Sequence, residues 1–186
     1  QSLSLAMRLA PHNGDIQLNL GHVRFSRQDY EGALESFTKA SSLRMGWAKA
    51  HMHMGATLHR QGKYSDAETQ FNRAVVLDTS DAEALRGLGA TLISLKKFAD
   101  AESALLRSDA ISPAHPQTQF LLGQVFVTSE DYARAKTYFS DVIDRLPNLI
   151  EARLNLGHAL QVLNQHPEAI KHFEAAIALD ANLPQA

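Results

Sequence analysis

Cysteine is absent from the 186 residues, which excludes disulfides, thiolate metal sites and cysteine nucleophiles. Charge of one sign is also lacking: 18 Lys+Arg against 20 Asp+Glu leave a formal net charge of −2, so no global basic field draws the chain to nucleic acid. No apolar run approaches the roughly 20 residues of a membrane-spanning helix. Signatures of catalysis are missing as well, with no Gly-x-Ser-x-Gly, no His-Glu-x-x-His and no phosphate-cradling loop. Hydrophobic residues still make up 45% of the chain, enough for a folded array.

What the chain does have is a period. Gly21, Gly55, Gly89, Gly123 and Gly157 stand 34 residues apart, and so do Ala33, Ala67, Ala101, Ala135 and Ala169. A third series, Phe37, Phe71, Leu105, Phe139 and Phe173, keeps the same step. Three registers in phase across nearly the whole length identify a repeat protein. One such unit is too small to bury its own apolar face, so units must stack, and stacking gives an extended scaffold.

Within a unit, numbered so that the glycine stands at position 8, apolar residues recur at 7, 8 and 11, as in Leu88, Gly89 and Leu92. A second set follows at 20, 24, 27 and 28, as in Ala67, Phe71, Ala74 and Val75. Both sets keep helical spacing. Between them lies a polar turn, for example Arg27-Gln28-Asp29 and Ser129-Glu130-Asp131, so each unit is predicted to be two helices joined by a turn. Small residues at 8 and 20 let the two helix axes approach closely, and the ring at 24 fills the space beside them. That packing role accounts for Gly89 and argues against reading Gly87 and Gly89 as a nucleotide-binding loop, which needs a preceding strand and a third glycine.

These residues give the chain a resemblance to the tetratricopeptide repeat (TPR) family, carried by Leu20, Gly21, Tyr30, Ala33, Phe37 and Ala40 in the first unit and by Met54, Gly55, Tyr64, Ala67, Phe71 and Ala74 in the second. The pattern continues through Leu88, Gly89, Phe98, Ala101 and Leu105, then Leu122, Gly123, Tyr132, Ala135 and Phe139, then Leu156, Gly157, His166, Ala169 and Phe173. Departures are local: Met45, Thr79 and Ala181 replace the closing proline kept at Pro113 and Pro147, and Arg24 stands where a buried apolar residue is expected. The resemblance implies an all-α, right-handed TPR superhelix, an α-solenoid of antiparallel helix pairs, with repeats at 14–47, 48–81, 82–115, 116–149 and 150–183.

Residues 1–13, with Leu3, Ala6, Leu9 and Pro11 in phase, are expected to form the second helix of a truncated preceding repeat, and residues 184–186 to begin a further helix. The chain therefore reads as a segment of a longer array. Exposed terminal repeats would then allow a homo-oligomer.

Histidine supplies no convincing metal pair. His51 and His53 point to nearly opposite sides of a helix, whereas chelation wants a spacing of three or four. His51 is expected at a helix-packing position shared with Gln17, Gln119 and Arg153, His166 at the aromatic position of the turn, and His172 on the solvated outer face. Asp66, Glu68 and Asp131 are expected on a solvated surface. No cofactor or metal is implied.

In proteins of the family that the chain resembles, positions 2, 5, 6, 9, 12 and 13 of the first helices line a concave groove. Those positions place Asn19, His22, Lys49, Met52, His53, Arg60, Arg86, Phe120, Leu121, Gln124, Asn155 and His158 on a candidate peptide-binding face. Units two and three gather Lys49, His53, His59, Arg60 and Arg86; unit four presents Phe120, Leu121 and Val127. Protonation of His22 and His53 near pH 6.5 is expected to add attraction for acidic ligands. The lysine at position 5 and asparagine at 9 of chaperone-binding members are absent, which argues against such an adaptor. Asn19 and Asn155 match the asparagine ladder of O-GlcNAc-transferase-like arrays, but His53, Gly87 and Leu121 interrupt it. The expected function is a protein-interaction scaffold binding a peptide or helix of a protein partner. The alternatives are the substrate-docking part of a larger glycosyltransferase or sulfotransferase, and a self-assembling scaffold.

Overall fold

The computed structural model describes residues 13–181. Every regular element among them is an α-helix: α1 (Gly14–Ser26), α2 (Tyr30–Leu43), α3 (Ala48–Arg60), α4 (Tyr64–Leu77), α5 (Ala82–Ser94), α6 (Phe98–Ile111), α7 (Pro116–Thr128), α8 (Tyr132–Arg145), α9 (Ile150–Val162) and α10 (His166–Ala181). Local chemistry sets several starts. The Asn13, Asp29, Asp81 and Asp131 side chains accept from first-turn amides of α1, α2, α5 and α8, satisfying donors that a helix cannot satisfy internally. Pro116 opens α7, where a missing N–H costs nothing.

The polar turns share one backbone device. Gln28, Gly62, Lys96, Glu130 and Asn164 occupy the same position of successive units, and all have positive φ, from 58° to 75°. The residue after each donates its amide back to the preceding helix: Asp29 to the Arg24 carbonyl at 3.0 Å, Lys97 to Leu92, Asp131 to Phe126 and Gln165 to Leu160 each at 2.9 Å. This left-handed closure satisfies a helix-end carbonyl, and only Gly62 has the residue type that adopts it without cost.

The helices divide into two compact units, with the boundary between Lys97 and Phe98. In the first, α1 packs on α2 and α3 on α4; α2 and α4 then pack on the next first helix, and α3 also touches α5. In the second, α7 packs on α8 and α9 on α10, with α6 against α7, α8 against α9, and α7 touching α9. Phe37, Phe71 and Phe139 are almost wholly buried. Each lies over the glycine at position 8 of its own repeat: a Cβ at Gly55 would come 2.9 Å from the Phe71 ring, one at Gly123 2.6 Å from Phe139, and one at Gly157 2.6 Å from Phe173.

Arg24, at an expected apolar position, is accommodated by hydrogen bonding. Its Nη1 donates to the Gly32 carbonyl at 2.8 Å, to Ser36 Oγ at 3.0 Å and to Glu35 at 3.2 Å, so the buried part of the group is paired. Two acids expected to be simply solvated are bound instead. Lys97 Nζ donates to both Glu68 carboxylate oxygens at 2.8 Å, and Asp131 accepts from the Arg134 amide and side chain. Asp66 is exposed as expected. His51 is buried, with Nδ1 2.9 Å from Gln70 Oε1, in keeping with a packing role; Gln17 and Gln119 at the same position are buried too. His172, by contrast, is half-buried, its Nδ1 is shielded, and burial lowers its pKa, which corrects the solvated assignment. His166 is exposed at the start of α10 and does not take the packed place of an aromatic. The expected helix around Leu3, Ala6, Leu9 and Pro11 and the helix start at 184–186 lie outside the described residues.

Gly123→Ala should lower stability by about 1–3 kcal/mol through overpacking against Phe139, even though alanine gains roughly 1 kcal/mol of helix propensity. Urea unfolding followed by circular dichroism measures it. An alanine variant as stable as the parent would refute the packing role of the repeat glycines.

Candidate binding face on the first helices

In the first unit, α1 carries Asn19 and His22, α3 carries Lys49, Met52, His53 and Arg60, and α5 carries Glu83 and Arg86. Asn19, His22, Lys49 and Arg60 are exposed, and Arg86 is half-buried. None of Lys49, Arg60 and Arg86 has an ion-pair partner among the described residues. Met52 departs from expectation. It is only 3% exposed, so it belongs to the packing between repeats and reaches the surface only as a cavity wall.

His53 also does double duty. Its ring stacks on Phe37 with centroids 5.3 Å apart, while the His22 ring meets it edge-on at 4.1 Å. Burial, then the neighbouring His22 and Lys49, lower its pKa to about 4. Burial and Lys49 lower that of His22 against a smaller upward pull from Glu83, and burial followed by Arg60 lowers that of His59. The expected histidine charge near pH 6.5 is therefore corrected: the cationic character of this face comes from Lys49, Arg60 and Arg86. His59 Nδ1 lies 3.0 Å from Thr91 Oγ1. That hydroxyl already donates to the Gly87 carbonyl at 2.8 Å, so Nδ1 is the donor and the tautomer is fixed.

A cavity of about 170 Å³ opens among His22, Phe25, Phe37, Met52, His53, Ala56 and Glu83. Gly87, at the position equivalent to His53, presses on a ring of the preceding repeat: a Cβ there would overlap Phe71, which is held between Gly55 and Gly87. Gly87 is thus explained by packing.

In the second unit the first helices carry apolar and amide side chains together. Phe120, Leu121 and Gln124 of α7 are half-buried, and Asn155 of α9 is half-buried while His158 is exposed. The Phe120 ring meets Phe139 edge-on at 5.8 Å. Beside it a cavity of about 300 Å³ is lined by Pro116, Gln117, Phe120, Leu146, Leu149 and Glu151. The sequence pattern marked Phe120 but not Leu146 and Leu149, because these flank the closing Pro147 in a turn where no helical periodicity marks a face. The signal available was two leucines around a proline where the turn could have been polar throughout.

Among the described residues no group of three or more His, Asp or Glu is placed to hold a metal ion, and no helix is long and apolar enough to cross a membrane. Protein-family models described as tetratricopeptide repeat match residues 54–116 and 126–186. The chain belongs to the tetratricopeptide repeat family. Among solved structures it is similar to MamA, at 25% identity over 87% of this chain and 95% of that one, with a TM-score of 0.78. It is also similar to YrrB, described as a TPR protein with an unusual peptide-binding site, at 19% identity over 98% of this chain and 94% of that one, with a TM-score of 0.78. PilF of Pseudomonas aeruginosa is a third, at 20% identity over 93% and 78%, with a TM-score of 0.81. Comparison with curated protein sequences gives no match. TPR membership supports a protein-interaction scaffold.

The depressed His53 pKa makes stability pH-dependent. Above pH 6.5 the ring is neutral folded and unfolded; below it the unfolded chain takes a proton that the folded one refuses until about pH 4, so stability falls as pH drops through that window. The loss is of order 1–3 kcal/mol, after allowing for partial exposure of the ring. Asp131, held low mainly by the Arg134 amide and side chain, acts only below the ordinary carboxylate value of 3.8. Thermal midpoints measured from pH 7 to 5 should decline, and His53→Phe should flatten the slope. An equal slope in the variant would assign the effect to other groups.

Proposed function

We propose that this TPR chain binds a peptide or helix of a protein partner on its first-helix face, anchoring a large apolar side chain beside Phe120. The carrying observation is the cavity of about 300 Å³ among Pro116, Phe120, Leu146 and Leu149. Interface energy concentrates where one large side chain fills such a recess. Glu151 at its edge is exposed and has no ion-pair partner among the described residues, which favours a basic residue next to the anchor. In the first unit, the unpaired Lys49, Arg60 and Arg86 favour acidic residues of a bound segment, with a dependence on salt. Asn19 in the first unit, and Gln124, Asn155 and His158 in the second, supply hydrogen-bonding groups on the first helices of their own units, suited to peptide backbone or polar side chains. The interrupted asparagine series gives the substrate-docking reading no comparable support.

The test is a peptide-library screen followed by titration of the best binders. Phe120→Ala should weaken binding about 10–100-fold, the loss of one buried anchor. Arg86→Glu should weaken acidic binders, an effect that shrinks in high salt. Binding unchanged in both variants would place the ligand on another surface and overturn the assignment.

A further inference from the structure

The recess beside Phe120 begins at a joint whose composition departs from the other repeats. In the second and fourth repeats the inward residue near the end of the second helix is Val75 or Ile143, only 7% and 9% exposed. The third repeat has Asp109 at that place, half-buried on α6. Its Oδ1 accepts two hydrogen bonds from beyond the helix, one from the Ala114 amide at 3.0 Å and one from Gln119 Nε2 at 2.7 Å. The carboxylate makes both bonds charge-assisted. Ala114 has a φ of 56°, in the left-handed region that disfavours a side chain. Gly46 adopts that region at the same place in the first repeat, whereas Ser80 and Asn148 do not. A non-glycine residue held there needs support from its surroundings, and the bond to Asp109 supplies it.

We propose that Asp109 is a positioning residue for the recess: by tying the turn at Ala114 and the first turn of α7 to one oxygen, it sets where Pro116, Gln117 and Phe120 stand as the recess wall. Pro116 and Gln117 lie between the two tied residues, and Phe120 follows Gln119 directly. A shift of that turn would have to break one of the two bonds. An apolar residue at 109 would pack as Val75 and Ile143 do, but it would leave the Ala114 amide and the Gln119 amide group without this acceptor. Filling the joint alone therefore does not account for the aspartate.

The inference rests on the recess being the anchor site, and its test separates the two. Asp109→Val with Gln119→Leu reproduces Val75 and Leu85, which are buried at the same two places in the first unit, so the joint should keep its stability in urea while losing the tie. That double variant should lose the positive φ at Ala114, read from NMR couplings, and change the NOEs between the Phe120 ring and the Leu149 methyls. It should also bind toluene, an apolar probe, at least tenfold more weakly than the parent protein does. Asp109→Asn keeps an Oδ1 able to accept both bonds, and should retain the φ, the NOEs and the toluene affinity. In the parent protein the Ala114 amide should exchange slowly with solvent. Three results each overturn the inference: an Ala114 φ and toluene affinity unchanged in the double variant, Asp109→Asn as impaired as the double variant, or free exchange at Ala114. Exchange, couplings and NOEs are read without a partner, so they decide on Asp109 whether or not peptide binding depends on Phe120.

Discussion

The contact on which the structure depends is a ring laid on a glycine. In each repeat where position 24 is phenylalanine, the ring occupies the space that a Cβ at position 8 would need. Helix axes can then approach closely, and Phe37, Phe71 and Phe139 are buried almost completely while Phe173 in the last repeat is half-buried. The same ring also faces the next repeat. Phe71 is held between Gly55 and Gly87, whereas Phe37 is held between Gly21 and the His53 ring. Position 6 of a first helix is therefore where core and surface meet. A glycine there completes the packing and nothing more. A histidine there completes the packing and keeps a polar atom, and its depressed pKa follows from the same burial.

Polar ties between neighbouring repeats recur in a second register. Glu68 pairs with Lys97 in the first unit, and Lys136 donates to Gln165 at 2.8 Å in the second, across the same separation of 29 residues. Exposed pairs of this kind contribute little singly, but they fix which side chains remain free. Glu68, Lys97, Asp131 and Arg134 on the second helices and turns are paired, while Lys49, Arg60 and Arg86 on the first helices are not. On the proposed reading, these unpaired cations serve binding without being set aside for that purpose alone.

The period, the helix pairs and the place of the turns were legible because each is fixed by spacing, and spacing is what a sequence displays. Arg24 was legible as an exception but not its resolution, since the Gly32 carbonyl and Ser36 hydroxyl that receive it come from another helix. The candidate site was legible by face and not by environment. Met52 and Leu18 occupy position 5 and are buried, whereas Leu154 at the same position is 45% exposed; helical phase alone cannot separate them. Charge was the least legible property. His53 reads as a physiological switch in isolation and becomes a neutral packing ring once Phe37, His22 and Lys49 surround it. The positive φ at Gln28, Lys96, Glu130 and Asn164 was hidden for another reason: no glycine announces it, and the closing hydrogen bond, not the residue type, holds it.

Because face residues also pack, a binding defect and a stacking defect have to be separated residue by residue. Phe120 touches Phe139, itself seated on Gly123, so its truncation removes a neighbour of the core as well as a cavity wall. Lys49 and Arg60 are exposed, and on the proposed reading a change there would act on the ligand with little effect on the fold. Nearest-neighbour stability makes the distinction measurable, since a stacking defect should loosen the joint on either side of the altered repeat, whereas a defect at a free cation should alter salt dependence and leave unfolding as it was. The side chains that most resemble a specific site are those tied into the ring-on-glycine contact. If the proposed binding holds, specificity at this face is built from the same packing that holds the repeats together, and the solvated charges of Lys49 and Arg60 tune attraction around it.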